Sequence, residues 1–146
     1  MKGALLIVPV LLASLVCGGF EAAAQSTSGK KLLHVVVAKS KDGPPTTKFT
    51  SDDLKIYAVW KGDALKTGDH VHAVWIAEAF GSSSKDVQIT DGSVIAYKPD
   101  DDGIFSLARP EAGWPAGRYR VEFYVGNHLA ETVRFTIEPG VTIEVR

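Results

Sequence analysis

The sequence is poor in cysteine and has little excess charge of either sign. Its one cysteine, Cys17, lies near the N-terminus, so the rest of the chain has no disulfide and depends on an apolar core, which a domain of about 120 residues can supply. Sixteen basic and seventeen acidic side chains nearly cancel. No basic run stands out in the chain after the N-terminal segment. This balance makes nucleic acid an unexpected partner.

Enzymatic motifs are missing as well. The sequence has no glycine-rich phosphate-binding loop, no Gly-x-Ser-x-Gly and no zinc-protease histidine pair. No cysteine follows Cys17 to act as a nucleophile. The paired carboxylates Asp52 and Asp53 lie in turn-like sequence. The sequence therefore predicts a protein that is not an enzyme; an enzyme whose carboxylates lie far apart in the sequence is a third hypothesis that no motif supports.

One long apolar run is present, at the N-terminus. Met1-Lys2 precedes ALLIVPVLLASLV, and small residues follow in CGGFEAAAQS, which is the pattern of a secretory signal peptide cleaved after Ala24. The run is too short for a permanent membrane anchor. We expect a signal peptide over 1–24, a flexible lead over 25–30 and one periplasmic or secreted domain over 31–146. A lipid anchor on Cys17 is not expected, because Val16 precedes it where a small residue is usual.

The segment 113–137 predicts a β-hairpin. Apolar residues recur there with a period of two on both sides of Gly126-Asn127, a pair suited to a tight turn. Only Glu131 interrupts the alternation. The apolar positions are Tyr119, Val121, Phe123 and Val125 on the first strand, and Leu129, Val133, Phe135 and Ile137 on the second.

Further strands are predicted along the rest of the chain. Phe49 is expected to enter the core as an anchor, and the tail 140–146 to add an edge strand. The other predicted strands cover 32–38, 53–60, 69–80, 87–90, 94–98 and 104–108. One face of the strand 53–60 carries Leu54, Ile56, Ala58 and Trp60. One face of the strand 69–80 carries Val71, Ala73, Trp75, Ala77 and Ala79, and its other face carries His70, His72, Val74, Ile76, Glu78 and Phe80. Short strands separated by turns, without an amphipathic helix, indicate a sandwich or barrel.

Several of these features resemble the small immunoglobulin-like domains of exported bacterial proteins. They are the aromatic anchor, a strand ending in Tyr-Ala-Val-Trp, a strand with a central tryptophan and a final WP-x-G-x-Y-x-V hairpin. The resemblance implies an all-β, immunoglobulin-like antiparallel β-sandwich of about seven to nine strands, with Trp75 in the core and Tyr119 closing a corner. Both inter-sheet cysteines of antibody domains are absent. Such sandwiches have many functions, so the resemblance implies a fold and no activity.

His70 and His72 are the candidate metal ligands. Two histidines two residues apart on a strand point to the same side, and imidazole suits zinc or copper. Glu78, His34 or His128 would be the third ligand, although no spacing links any of them to the pair. The alternative is that the two histidines are polar residues at the start of a strand.

Aromatic residues give a second candidate site. Trp60, Trp114 and Tyr124 would form a sugar-stacking or protein-binding surface if they lie outside the core. They would otherwise be core or corner residues. The run Asp100-Asp101-Asp102-Gly103 lacks the ligand spacing and terminal glutamate of an EF-hand, and is interpreted as a solvated turn.

The sequence thus favours an exported, non-catalytic binding or accessory module that acts through protein–protein contacts in the cell envelope. Its partner would be an envelope or extracellular protein, contacted through a free sheet edge or the loop ends. The alternative hypothesis is a periplasmic metal-binding protein that uses His70 and His72. No other cofactor is expected.

Overall fold

The computed structural model describes residues 30–80, 82 and 85–141. The predicted signal peptide, Cys17, nearly all of the predicted lead and residues 142–146 of the predicted tail strand lie outside these ranges. All regular secondary structure in the described part is β. Within these ranges, none of the segments is a helix with the length and apolar character needed to cross a membrane.

Eight strands form two sheets. Their bounds are β1 Leu33–Ala38, β2 Lys48–Thr50, β3 Lys55–Gly62, β4 His70–Phe80, β5 Val87–Ile95, β6 Asp102–Ala108, β7 Gly117–Val125 and β8 His128–Glu138. One sheet has the order β1-β3-β6, and the other has the order β2-β8-β7-β4-β5. Pairing is antiparallel except between β2 and β8, which run parallel.

The architecture is the immunoglobulin-like β-sandwich that the sequence predicts. The first two strands lie in different sheets, so that the N-terminal part of the domain contributes to both. The last two form the predicted hairpin beside β4, the strand that carries Trp75. Eight strands fall within the expected range of seven to nine.

Aromatic side chains fill the space between the sheets. Trp75 on β4 is 2% exposed, and Phe49 is 1% exposed. The Tyr119 hydroxyl donates a hydrogen bond to the Pro115 carbonyl oxygen at 2.5 Å, while its ring stacks on that of Phe135 with the centroids 5.6 Å apart. This bond closes the turn into β7 in the manner of a tyrosine corner.

The hairpin has a two-residue turn, because Val125 pairs with His128. Gly126 has a φ of 58°, and no non-glycine residue in the described part has a positive φ. The turn is therefore a type II′ turn, in which only the first central residue has a positive φ and is preferably glycine.

One extra residue in β8 alters the predicted alternation. Phe123 pairs with Glu131 and Tyr124 pairs with Leu129, which leaves Ala130 as a bulge. A bulge reverses the facing of the residues beyond it. The expectation that Leu129 shares the core face of Val133 is therefore wrong, and Leu129 is 53% exposed.

Glu131 instead shares the inner face of Phe123, with its side chain 16% exposed. Its Oε2 atom is fully buried and lies 2.5 Å from Nζ of Lys31. The ion pair compensates a carboxylate at the margin of the core, where an uncompensated charge would be costly.

A second bulge ends the predicted alternation of β4. Val71, Ala73, Trp75 and Ala77 all face the core as expected. Glu78 is then skipped in the pairing with β7, and Phe80 pairs with Gly117. Phe80 packs against the core, so its predicted place on the outer face with the histidines is wrong.

Two other strand predictions also differ from the structure. Leu54 precedes β3 and is 72% exposed, although Ile56, Ala58 and Trp60 are buried as predicted. The two weak strands predicted over 87–90 and 94–98 are one continuous strand, β5, in the structure. Pairing with residues 70–77 of β4 holds this segment together across a register shift at Ile89.

Candidate functional site

The strand β5 is an open edge of the five-stranded sheet. It spans nine residues and, among the described strands, pairs with β4 alone. Natural sheets protect such edges with short strands, prolines or lysines. The sequence of β5, VQITDGSVI, has neither proline nor lysine. A register shift leaves Ile89 without a partner on β4, and the regular part of the edge, 90–95, is available for pairing with another strand.

Hydrogen bonding next to β5 shows which backbone groups face outward. Ala96 N–H donates to the Asp69 carbonyl oxygen at 2.8 Å, and these two residues continue the pairing of β5 with β4. Since hydrogen-bonded and non-hydrogen-bonded pairs alternate in an antiparallel ladder, Asp91, Ser93 and Ile95 direct their N–H and C=O groups away from β4. From Asp91 to Ile95, the outer side of this edge is thus a regular row of donors and acceptors.

Exposed apolar side chains are concentrated on the same strand. Ten large hydrophobic residues are exposed in the described part of the chain, and five of them lie on β5 or two residues beyond it. By comparison, β1 and β6, the edges of the other sheet, contribute one each. The five are Val87 (43%), Ile89 (41%), Val94 (41%), Ile95 (47%) and Tyr97 (79%).

An apolar cavity of about 160 Å³ lies beside the first half of β5. It is placed between this edge and the loop that leads into β7. Val87 and Ile89 form its partly exposed wall, and Trp114 and Tyr119 are buried behind it. The complete lining is Ala77, Phe80, Val87, Ile89, Pro110, Trp114, Pro115 and Tyr119. A cavity of this size admits one aliphatic side chain or one small ring.

Two carboxylates flank an apolar residue on the outer face of the sheet next to β5. Val74 on β4 pairs with Asp91 on one side and with Glu122 on the other. Because directly opposite residues point to the same face, the two carboxylates flank Val74. Asp91 is the only charged residue in β5. Its Oδ2 atom lies 2.7 Å from His72 Nε2.

Arg120 organises a charge network further along this face. Its side chain is 15% exposed and contacts three carboxylates: Asp86 at 2.9 Å, Glu78 at 3.1 Å and Glu122 at 3.6 Å. Burial acts to lower the pKa of Arg120, but the hydrogen bonds to Asp86 and Glu78 outweigh it and raise the pKa. A guanidinium held in this way is a fixed structural cation.

Tyr124 is a half-buried aromatic residue of this face. Its hydroxyl lies 3.4 Å from Glu122 Oε1, and its ring centroid is 6.2 Å from that of His72. Partial desolvation, followed by the charge of Glu122, raises the pKa of Tyr124. The phenol therefore stays neutral at physiological pH.

The histidine pair lies on the outer face, as parity predicted, but His72 is engaged with Asp91. His34 belongs to the other sheet and lies 3.8 Å from Asp63. Among residues 30–80, 82 and 85–141, no group of three or more His, Cys, Asp or Glu side chains is arranged to hold a metal ion. The structure thus supplies no third ligand for His70 and His72 from these residues.

The predicted aromatic surface is not formed. Trp60 and Trp114 are 2% and 4% exposed, so only Tyr124 of the three is on the surface. Trp114 Nε1 donates to the Asp53 carbonyl oxygen at 2.7 Å, which fixes the ring at the end of the sandwich. Both tryptophans belong to the core because the chain, lacking disulfides, buries its largest apolar side chains.

The aspartate run is a turn, as predicted. Asp101 Oδ2 accepts a hydrogen bond from Tyr97 N–H at 2.8 Å, and its Oδ1 accepts one from Asp102 N–H at 3.0 Å. The bond from Tyr97 lowers the pKa of Asp101. The carboxylate is thus used to close the chain between β5 and β6.

The free edge and its cavity were not identified from the sequence. The available signal was weak: two short apolar stretches separated by Asp91-Gly92. Neither the fusion of these stretches into one strand nor its place at the end of the sheet follows from local pattern.

No protein-family model matches this chain, and no curated protein does. Among solved structures, it is similar to a β-glucosidase from Listeria innocua in complex with glucose, at 11% identity and a TM-score of 0.46. That alignment covers 73% of this chain and 16% of the enzyme. The alkylpurine DNA glycosylase AlkC from Pseudomonas fluorescens aligns at 10% identity and a TM-score of 0.43, over 73% of this chain and 30% of the enzyme. These similarities support no conclusion about activity.

Proposed function

We propose that this chain is a non-catalytic binding module that acts through protein–protein contacts in the cell envelope, after export and removal of residues 1–24. The observation that carries the proposal is the free edge β5. It combines outward-facing backbone groups with the largest share of the exposed apolar side chains in the described part of the chain. Strand addition to such an edge is a common mode of protein recognition.

The arrangement of the ionisable groups is consistent with a binding role. Arg120 is saturated by three carboxylates, and His72 is paired with Asp91. These interactions stiffen a surface, which suits a scaffold for recognition. A second function in metal binding is not favoured, since His70 and His72 have no third ligand among the described residues.

Site-specific photocrosslinking tests the proposal. A photoreactive amino acid replaces Ile89 at the edge in the full chain, and replaces Val36 in a matched control. Both side chains are 41% exposed, but Val36 lies on the outer face of the other sheet. In cells that export the chain, we expect a discrete adduct from position 89 and none from position 36. Equal adducts from both positions, or none from either, would contradict the proposal.

A further inference from the structure

The edge and the cavity together define the chemistry of the partner segment. We propose that β5 binds an extended peptide segment that carries an aliphatic side chain on one face and a lysine or arginine on the other. This inference rests on the proposed binding function and makes it specific. Three features of the structure lead to it: the hydrogen-bonding row, the cavity and the position of Asp91.

The hydrogen-bonding row selects an extended backbone. Asp91, Ser93 and Ile95 present alternating N–H and C=O groups at the spacing of a strand, and only another strand matches this row continuously. A folded surface of side chains would leave part of it unpaired, at a cost for each group removed from water.

The cavity selects an aliphatic residue on the inner side of that backbone. Val87 faces the core side of the sheet, because it pairs with Ala77, and it forms part of the cavity wall. A strand added beside β5 alternates between the same two faces. Its inward side chains therefore pass the partly exposed wall formed by Val87 and Ile89, and one of them fills the cavity.

Asp91 selects a cation on the outer side. It is the only charged residue of β5, its side chain is 52% exposed, and Glu122 lies on the same face across Val74. The residue of an added strand that lies opposite Asp91 meets this half-exposed carboxylate, whose Oδ2 atom also contacts His72. Opposite charges in such cross-strand positions are favourable, and like charges are unfavourable. Since the two selected side chains are on opposite faces, they are separated by an odd number of positions.

Designed peptides test this inference. The probe is a capped eight-residue peptide in which threonines surround one arginine and one leucine three positions apart. Three matched peptides carry glutamate for arginine, serine for leucine, or N-methyl groups on alternate backbone nitrogens. Binding to the full mature chain is followed by tryptophan fluorescence, to which Trp114 in the cavity lining contributes, and by amide chemical shifts along β5.

Two proline variants separate edge pairing from loss of structure. Ser93→Pro removes an N–H that faces outward from β5. Ser106→Pro makes the same change on β6, the edge of the other sheet. Arg109 N–H donates to the Leu54 carbonyl oxygen, so Arg109 points its backbone groups toward β3, and by alternation Ser106 points its own away from β3. Both residues are exposed serines. A cooperative thermal unfolding transition in both variants, close to that of the unsubstituted chain, shows that the fold is retained.

We expect the arginine–leucine peptide to bind with a Kd of about 10–500 μM. Ser93→Pro and backbone methylation should each weaken binding at least about tenfold, whereas Ser106→Pro should leave it unchanged. Asp91→Asn should reduce the preference for arginine over glutamate about two- to fivefold.

The outcomes distinguish this inference from the broader proposal. One outcome is that position 89 gives adducts in cells, but all four peptides bind equally or none binds at about 1 mM. This result would overturn the proposed chemistry of the peptide and would retain the proposal that the chain is a binding module. Peptide binding that is unaffected by Ser93→Pro would overturn the use of the edge. A dimer that Ser93→Pro dissociates, or affinity that rises when residues 142–146 are deleted, would identify this chain itself as the occupant and overturn the inference.

Discussion

Replacing Tyr119 by phenylalanine isolates the contribution of one hydrogen bond to stability. The ring is 2% exposed and stacks on Phe135, and phenylalanine keeps this packing. Only the hydroxyl is lost, and with it the 2.5 Å bond to the Pro115 carbonyl oxygen. A hydrogen bond of this type contributes about 0.5–1.5 kcal/mol, and an acceptor left without a donor adds to the loss. We expect the free energy of unfolding to fall by about 1.5 kcal/mol and Tm by about 5 °C.

Urea unfolding followed by tryptophan fluorescence measures this change, because Trp60, Trp75 and Trp114 are all buried and become exposed on unfolding. Tyr124→Phe is the matched control. Its hydroxyl lies on the outer face, 3.4 Å from Glu122, so its loss should cost less than about 0.5 kcal/mol. Equal losses in the two variants would refute the assignment of a stabilising corner bond to Tyr119.

Two other predictions follow from the packing. Gly103→Ala should lower the free energy of unfolding by about 1–3 kcal/mol, because an added Cβ would lie 2.8 Å from Trp60 Nε1. In the control Gly92→Ala, the added Cβ would lie 3.3 Å from the Phe105 ring, and the loss should be less than about 1 kcal/mol. Equal losses of stability in urea titrations of the two variants would contradict this reasoning. Burial raises the pKa of Tyr119 above its ordinary value of 10.0, so the folded protein keeps this proton to higher pH than the unfolded chain does. The stability from this difference is complete below about pH 10 and is lost as pH rises through the folded pKa. The free energy of unfolding, measured by urea denaturation between about pH 8 and about pH 11, should fall with rising pH, and it should fall less in Tyr119→Phe. The same dependence on pH in both proteins would assign the titration to other groups.

Alternation in the sequence predicted the core wherever strands are regular. In β4 the alternation held as far as Ala77, and in β7 it held throughout, because each apolar residue there faces the opposite sheet. The predicted facing of side chains became wrong at two bulges. The extra residues Glu78 and Ala130 are defined by the register of the partner strand, so Phe80 and Leu129 were assigned to the wrong faces.

The candidate site was less predictable than the core. An edge is a property of strand order, which depends on pairing between distant segments and leaves no local signature in β5. Similarly, the sequence identified Trp60 and Trp114 as large amphipathic rings but not whether a second layer covers them. The Asp91–His72 contact joins residues 19 positions apart, and it appears only when β4 and β5 are in register.

The parallel pairing of β2 with β8 sets the order in which this domain can be completed. The backbone N–H and the hydroxyl of Ser51 both donate to the Glu138 carbonyl oxygen, 87 residues away, and Phe49 packs edge-on against Phe135. A chain that emerges N-terminus first, from a ribosome or across a membrane, must leave Phe49 uncovered until β8 follows. Closure over such distances is slow, typically milliseconds to seconds. The domain therefore finishes folding only after nearly all of its described residues have been released.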